Sequence, residues 1–224
     1  MPTPVITIDG PSGSGKGTIA QLLADELGWH LLDSGALYRV LAYAAQQLDI
    51  SIDETSGELV AQAATLPVSF ETVDGATHAM LSGVDVERQI RSESAGNAAS
   101  KVAAMPEVRA ALLGRQQEFA QPPGLVADGR DMGTVVFPQA AAKIFLTASV
   151  EDRAQRRYKQ LKDKGIDAKF AALSHEIKER DERDMNRAAS PARPAADALL
   201  LDSSGLTIEQ VLDRARNYLR EKGL

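Results

Sequence analysis

Residues 5–18 read Val5-Ile6-Thr7-Ile8-Asp9-Gly10-Pro11-Ser12-Gly13-Ser14-Gly15-Lys16-Gly17-Thr18. The four β-branched residues that open this stretch are typical of a buried strand in a parallel sheet, and the strand ends abruptly at Asp9 and Gly10. From Lys16 onward the apolar residues take helical spacing, and Gly28 stands where it would end the helix. The stretch therefore predicts a strand, a glycine-rich loop and a helix in succession.

The loop of residues 10–18 has the composition of a phosphate-binding loop. Its glycines let successive backbone N–H groups point inward, the helix N-terminus adds its positive end, and Lys16 can reach the outer phosphates of a nucleotide. The order departs from the GxxxxGK(S/T) pattern, because Gly17 stands at the Ser/Thr position and Thr18 follows it. The loop predicts nucleotide binding and leaves open whether Thr18 or water would complete a Mg²⁺ shell.

The rest of the chain alternates short apolar runs with helical patterns, which predicts a parallel sheet. Further strand candidates are His30–Asp33, Leu125–Asp128, Lys143–Leu146 and Leu199–Asp202. Residues 66–90 break the rhythm, because runs with a period of two are split by Asp74-Gly75 and Ser82-Gly83, which indicates antiparallel hairpins. We predict an α/β fold of the P-loop NTPase type: a five-stranded parallel sheet flanked by helices, with a small inserted antiparallel β subdomain and a helical lid.

We expect this pattern to form a single domain. Its parts are a core of residues 1–65, 91–165 and 190–224, an inserted β subdomain at about 66–90 and a lid at about 166–189. Ser34 is placed to cap the second helix. Thr207 and Gln210 are spaced to form a capping box at the start of the last helix.

Composition and charge narrow the class of protein. The 224 residues are 44% hydrophobic and 25% charged, which is typical of a folded globular protein. With 25 Lys and Arg against 31 Asp and Glu, the net charge of -6 argues against a surface that binds a nucleic acid polymer. The absence of cysteine excludes disulfides and thiolate zinc sites, and nowhere do about 18 apolar residues run together. We expect a cytoplasmic monomer that binds small molecules and no membrane.

Two polar segments follow directly after predicted strands, where open α/β sheets bind their ligands. Residues 33–39 read DSGALYR, and Ser34 and Arg39 could hold a second phosphate, although taken alone a helix cap and a surface charge explain them better. Residues 127–138 read ADGRDMGTVVFP, in which two acids and an arginine stand between glycines. Asp128, at the end of an apolar strand, could orient Mg²⁺ through water.

A third segment, residues 177–187, reads IKERDERDMNR. On a helix Arg180, Asp184 and Arg187 share one face at spacings i, i+4 and i+7, with Arg183 beside it. Such a face can close over phosphates and exclude water, and arginines are suited to stabilise a transferring phosphoryl group.

Together the phosphate loop and these three segments resemble the bacterial cytidylate kinase family, and the resemblance covers essentially the whole chain. It implies transfer of the γ-phosphoryl group of ATP to CMP or dCMP, with Mg²⁺ as cofactor. The ATP site it implies consists of Gly10, Pro11, Ser12, Gly13, Ser14, Gly15, Lys16, Gly17 and Thr18. The catalytic residues it suggests are Lys16, Arg130, Arg183 and Arg187, and the metal contacts, both indirect, are Thr18 and Asp128.

The resemblance also implies an acceptor site. Its members are Ser34, Arg39, Arg130 and Arg187 near the CMP phosphate, Ser100, Arg109 and Asp131 near the cytosine, and Arg180 and Asp184 near the sugar. A charged pair that both accepts and donates hydrogen bonds matches the edge of cytosine, whereas uracil reverses part of that pattern. Arg109 and Asp131 are therefore expected to set the preference for cytosine.

Two other functions are compatible with the phosphate loop. A kinase of another small metabolite, such as a sugar or a shikimate-like acid, would need an acid to take a hydroxyl proton, and Asp33 or Asp131 could do so. A regulatory protein that binds ATP without transferring phosphate would leave the arginine-rich segment unexplained.

Overall fold

The computed structural model describes residues 3–52, 57–73, 76–163, 165, 167–186 and 190–224. The predicted turn at Asp74 and Gly75 lies outside the described residues, and so does Arg187. Among the described residues, no helix has both the length and the apolar composition that crossing a membrane requires.

A five-stranded parallel sheet forms the centre of the fold, as predicted. Its strands are β1 (Val5–Asp9), β2 (His30–Asp33), β6 (Leu125–Gly129), β7 (Ala142–Thr147) and β8 (Leu199–Asp202). Their order across the sheet is β2-β6-β1-β7-β8. Every pair is parallel, so all five carboxyl ends meet at one edge of the sheet, where the polar segments begin.

Helices cover both faces of the sheet. They are α1 (Lys16–Leu27), α2 (Ser34–Gln47), α3 (Gly57–Ala64), α4 (Glu87–Ile90), α5 (Glu93–Val102), α6 (Pro106–Gln117), α7 (Val150–Asp163), α8 (Phe170–Asn186) and α9 (Ile208–Glu221), with a π-helical turn at Met132–Val136. On one face Ile8 packs with Leu23 of α1 and Leu212 of α9. On the other face Leu32 packs with residues of α2, α3, α5 and α6. Strands buried on both faces explain the continuous apolar runs in the sequence.

The predicted inserted subdomain is a separate antiparallel sheet. It consists of β3 (Val68–Val73), β4 (Ala76–Leu81) and β5 (Val84–Asp85), in the order β3-β4-β5. Ala79, Val68 and Val86 are buried in the same apolar core as α2 and α6, so this sheet shares a core with the main body. Helix α8 occupies most of the predicted lid, and the division into core, subdomain and lid stays a prediction.

The helix caps confirm one prediction and correct another. Thr207 and Gln210 form a capping box at the start of α9, as their spacing predicted. Ser34 does not cap α2. The cap is Asp33, whose Oδ1 accepts a hydrogen bond from the backbone N–H of Ala36 at 2.9 Å. Ser34 instead turns into the core as the first residue of the helix, where its hydroxyl donates to Oε1 of Gln116 at 2.7 Å.

Candidate active site

The phosphate loop connects β1 to α1 at the carboxyl edge of the sheet. Gly10 has a φ of 151°, and a Cβ at this position would lie 2.0 Å from the carbonyl oxygen of Leu146. Only glycine fits that conformation and that approach to β7. A Cβ on Gly17 would lie 3.1 Å from Oδ2 of Asp128. Glycine at the usual Ser/Thr position therefore leaves room for Asp128 beside the loop.

Lys16 and Asp128 form an ion pair at the base of the loop. The Nζ of Lys16 lies 3.4 Å from Oδ1 of Asp128, and their side chains are 13% and 8% exposed. Burial lowers the pKa of Lys16 and raises the pKa of Asp128, because each loses solvation of its charged form. A bound polyphosphate would favour the ammonium form of Lys16 by adding negative charge beside it.

Two arginines of α7 donate hydrogen bonds to backbone carbonyls of the phosphate loop. Arg153 is 3% exposed, donates to the carbonyl oxygen of Ser12 at 3.1 Å and makes a two-pronged ion pair with Asp181 of α8. Arg156 donates to the carbonyl oxygen of Ser14 at 3.0 Å and to that of Ser203 at 2.7 Å. The candidate site predicted from the sequence did not include Arg153 or Arg156. The available signal was their position on the helix that follows a strand ending at the carboxyl edge of the sheet.

Replacing Asp181 with alanine is expected to destabilise the fold by about 3 kcal/mol, because it strands a buried guanidinium without its counter-ion. The KM for ATP should rise as well, since Arg153 also supports the carbonyl of Ser12. Urea denaturation measures the free energy of unfolding. Glu182→Ala, which removes an exposed carboxylate one residue along the same helix, is the matched control and should change that free energy by less than about 0.5 kcal/mol. If Asp181→Ala and Glu182→Ala changed the free energy of unfolding equally, the ion pair between Arg153 and Asp181 would not have the stabilising role assigned to it.

One cavity of about 810 Å³ holds much of the predicted site. Its walls include Ser12 to Thr18 of the phosphate loop, with Thr18 exposed toward it. The same cavity is also lined by the guanidinium-bearing residues Arg39, Arg91, Arg130 and Arg180. A cavity lined by both a phosphate loop and several arginines can hold two anionic groups.

Another part of the cavity wall is built from α2 and from the segment between α4 and α5. Arg39 donates to the carbonyl oxygens of Ile90 at 2.7 Å and Ser92 at 3.2 Å. Arg91 donates to Oδ2 of Asp33 at 2.9 Å and also pairs with Glu87. Arg91 is a cavity residue that sequence reasoning missed, because nothing in its local sequence marks it.

A polar cluster joins three distant elements beside this wall. Nε of Arg130 donates to Oδ2 of Asp184 at 2.9 Å. The hydroxyl of Ser100 lies 3.5 Å from Oδ1 of Asp184 and accepts from Arg183 at 3.1 Å. The helix face predicted from spacing thus meets the loop after β6 through Asp184.

Arg109 and Asp131 form a buried ion pair, with side chains 8% and 4% exposed. The Cζ of Arg109 also lies 5.7 Å from the ring centroid of Tyr38, within reach of a cation–π interaction. The two residues are 22 positions apart in sequence and meet in the fold, as the family resemblance implied. Ser34, Ser100, Arg109, Arg183, Asp131 and Asp184 are not among the described residues that line the large cavity.

This architecture, with a phosphate loop at the carboxyl edge of a five-stranded parallel sheet and arginines lining the same cavity, is that of a P-loop kinase. The family model described as cytidylate kinase matches residues 6–221, and the chain belongs to the cytidylate kinase family.

Curated relatives agree with this assignment. A protein named cytidylate kinase from Aeromonas salmonicida is 59% identical over 219 residues, which cover 98% of this chain and 95% of the relative. Another of that name from Shewanella frigidimarina is 60% identical over 222 residues, covering 98% and 96% of the two chains. A solved structure of an uncharacterised protein from Eubacterium ventriosum shares the fold, with a TM-score of 0.53 at 12% identity and coverage of 98% and 99%.

Proposed function

We propose that this protein transfers the γ-phosphoryl group of ATP to the phosphate of CMP or dCMP, forming ADP and CDP or dCDP. The observation that carries the proposal is the shared cavity, which is lined both by the phosphate loop and by Arg39, Arg91, Arg130 and Arg180. The loop suits a polyphosphate donor, and the arginines suit an anionic acceptor. The names of the curated relatives support cytidylate as that acceptor.

The chemistry needs positioning and charge neutralisation more than it needs acid–base help. The attacking oxygen belongs to a phosphate that is already ionised at neutral pH, so no base must remove a hydroxyl proton. Lys16 braces the donor phosphates, while Arg130, Arg183 and Arg187 neutralise charge on the transferring group. Arg39 and the cluster around Asp184 orient the acceptor nucleotide, and Ser34, whose hydroxyl is bonded to Gln116, acts on it only through the position of α2.

The described site fits a magnesium ion. Oδ1 of Asp128 is buried and, apart from its 3.4 Å ion pair with Nζ of Lys16, has no closer hydrogen-bond partner among the described residues. Thr18 lines the same cavity and is exposed. Asp128 and Thr18 would hold Mg²⁺ indirectly, through water. The ion would supply charge neutralisation and alignment of the ATP phosphates.

Asp33 argues against a hydroxyl acceptor. Burial alone would raise its pKa, but the Arg91 guanidinium, the N–H of Ala36 and Lys16 together hold the pKa below its usual value. A carboxylate with a lowered pKa is a weak general base. The other candidate base, Asp131, is engaged by Arg109. Neither of the two acids that the sequence offered as a base for a sugar or shikimate kinase is therefore suited to take a hydroxyl proton.

An ADP-release assay with Mg-ATP tests the proposal against a panel of CMP, dCMP, UMP, AMP, GMP and shikimate. We expect CMP and dCMP to give the highest kcat/KM, and ADP release without an acceptor to be slow. A preference for another acceptor would overturn the acceptor assignment. ATP hydrolysis that ignores every acceptor would favour a regulatory ATPase instead.

A further inference from the structure

Asp9 is a buried carboxylate that the reaction as described does not use. It ends β1, directly before the phosphate loop, and is 4% exposed. Burial raises its pKa to about 7, while hydrogen bonds from the backbone N–H groups of Gly133 and Met132 oppose that shift. A carboxylate is costly to bury, so its hydrogen-bond partners indicate what it does.

Both oxygens of Asp9 accept from the π-helical turn that follows the loop after β6. Oδ1 accepts from the N–H of Met132 and Oδ2 from the N–H of Gly133, each at 2.8 Å. The first N–H groups of a helical turn have no partner within the turn and need an external acceptor. Asp9 therefore caps this turn from another strand, 123 and 124 residues away in sequence.

Two functional segments diverge at this point. Asp9 pairs with Gly129 in the register of β1 and β6. After Asp9 the chain continues into the phosphate loop, and after Gly129 it continues into Arg130 and Asp131. The carbonyl oxygen of Asp131 accepts from the N–H of Val135 at 2.9 Å, so Asp131 is held by the turn that Asp9 caps.

We propose that Asp9 is a positioning residue that sets the place of Arg130 and Asp131 relative to the phosphate loop. The proposal rests on the proposed function, since those two residues are there assigned to the acceptor nucleotide. CMP has to meet Arg130 and Asp131 already in place, so a displacement of the turn that holds them would weaken the binding of CMP and leave the phosphate loop unchanged. Asp9 joins the donor side to the acceptor side through two hydrogen bonds to backbone.

Asp9→Asn tests the proposal with little change of shape. The amide offers one acceptor oxygen, and its NH₂ group would face the other backbone N–H, so at least one bond is lost. We expect kcat/KM for CMP to fall about 10- to 100-fold, mainly through a higher KM for CMP. The KM for ATP should change less than about threefold, because the phosphate loop keeps its braces on α7. Asp202→Asn, which alters the strand-end aspartate of β8 that accepts from the N–H of Ser204, is the control and should leave the KM for CMP within about threefold.

A merely structural role would give a different result. Partial unfolding of Asp9→Asn would lower kcat and leave both KM values unchanged, and that outcome would overturn the proposal. Hydrogen exchange on the wild-type protein provides a test that needs neither a folded variant nor CMP kinase activity. The amides of Met132 and Gly133 should exchange as slowly as those of β1, and fast exchange at both would overturn the proposal even if the acceptor panel upheld the kinase.

Discussion

Replacing Lys16 with methionine is expected to lower kcat about 100-fold or more while the protein stays folded. A preorganised charge at a developing negative group typically contributes about 2.7–4 kcal/mol to the transition state. Lys16 is the cation at the base of the phosphate loop, 3.4 Å from Asp128 and largely withdrawn from water. Steady-state kinetics with saturating ATP and CMP measure kcat, and thermal unfolding shows whether the fold is retained.

The matched control for Lys16→Met is Lys159→Met, which removes the same charge from an exposed position on the wall of the same cavity. If only the total positive charge of the cavity mattered, both substitutions would lower kcat equally. If Lys16 contacts phosphate specifically, kcat of Lys159→Met should stay within about threefold of the wild-type value. The role assigned to Lys16 is wrong if its variant keeps a near-normal kcat, or if the two variants are equally impaired.

Replacing Asp131 with asparagine is expected to reduce the discrimination between CMP and UMP at least about fivefold. A carboxylate only accepts hydrogen bonds, as the amino group of cytosine requires, whereas an amide can turn to donate to the corresponding oxygen of uracil. One buried group left unpaired costs about 1–3 kcal/mol, or roughly 5- to 150-fold in the ratio of kcat/KM values. We expect kcat/KM for CMP to fall and that for UMP to fall less.

The buried pair with Arg109 makes the choice of substitution important. Asp131→Ala would strand a guanidinium that is 8% exposed and would confuse specificity with stability. Asp197→Asn is the control, because it weakens the ion pair of an exposed carboxylate with Lys143 and touches no acceptor residue. The ratio of kcat/KM for CMP to that for UMP, measured for both variants, decides the matter. An unchanged ratio in Asp131→Asn would exclude base reading by this residue.

Much of the fold could be predicted because its signals are local. The strand, loop and helix of residues 5–27, the five strands and the antiparallel insertion all follow from hydrophobic period and turn residues. The spacing of Arg180, Arg183 and Asp184 placed them near one another on a single helix. In the structure Asp184 is bonded to Arg130 and Arg183 to Ser100, while Arg180 itself lines the cavity. The cap of α2 was misassigned by one residue, since Asp33 and Ser34 are both good caps and only the packing of Ser34 against Gln116 separates them.

By itself, the sequence determined the order of elements, the phosphate loop and the residue types at the strand ends, because these depend on neighbours within a few positions. Tertiary structure alone decided which charges meet. Arg153 with Asp181, Arg91 with Asp33, and Asp9 with the turn at Met132 join residues 28, 58 and 123 positions apart. The physical reason is that periodicity encodes which side of an element is buried, whereas the partner of a buried charge depends on how distant elements pack together.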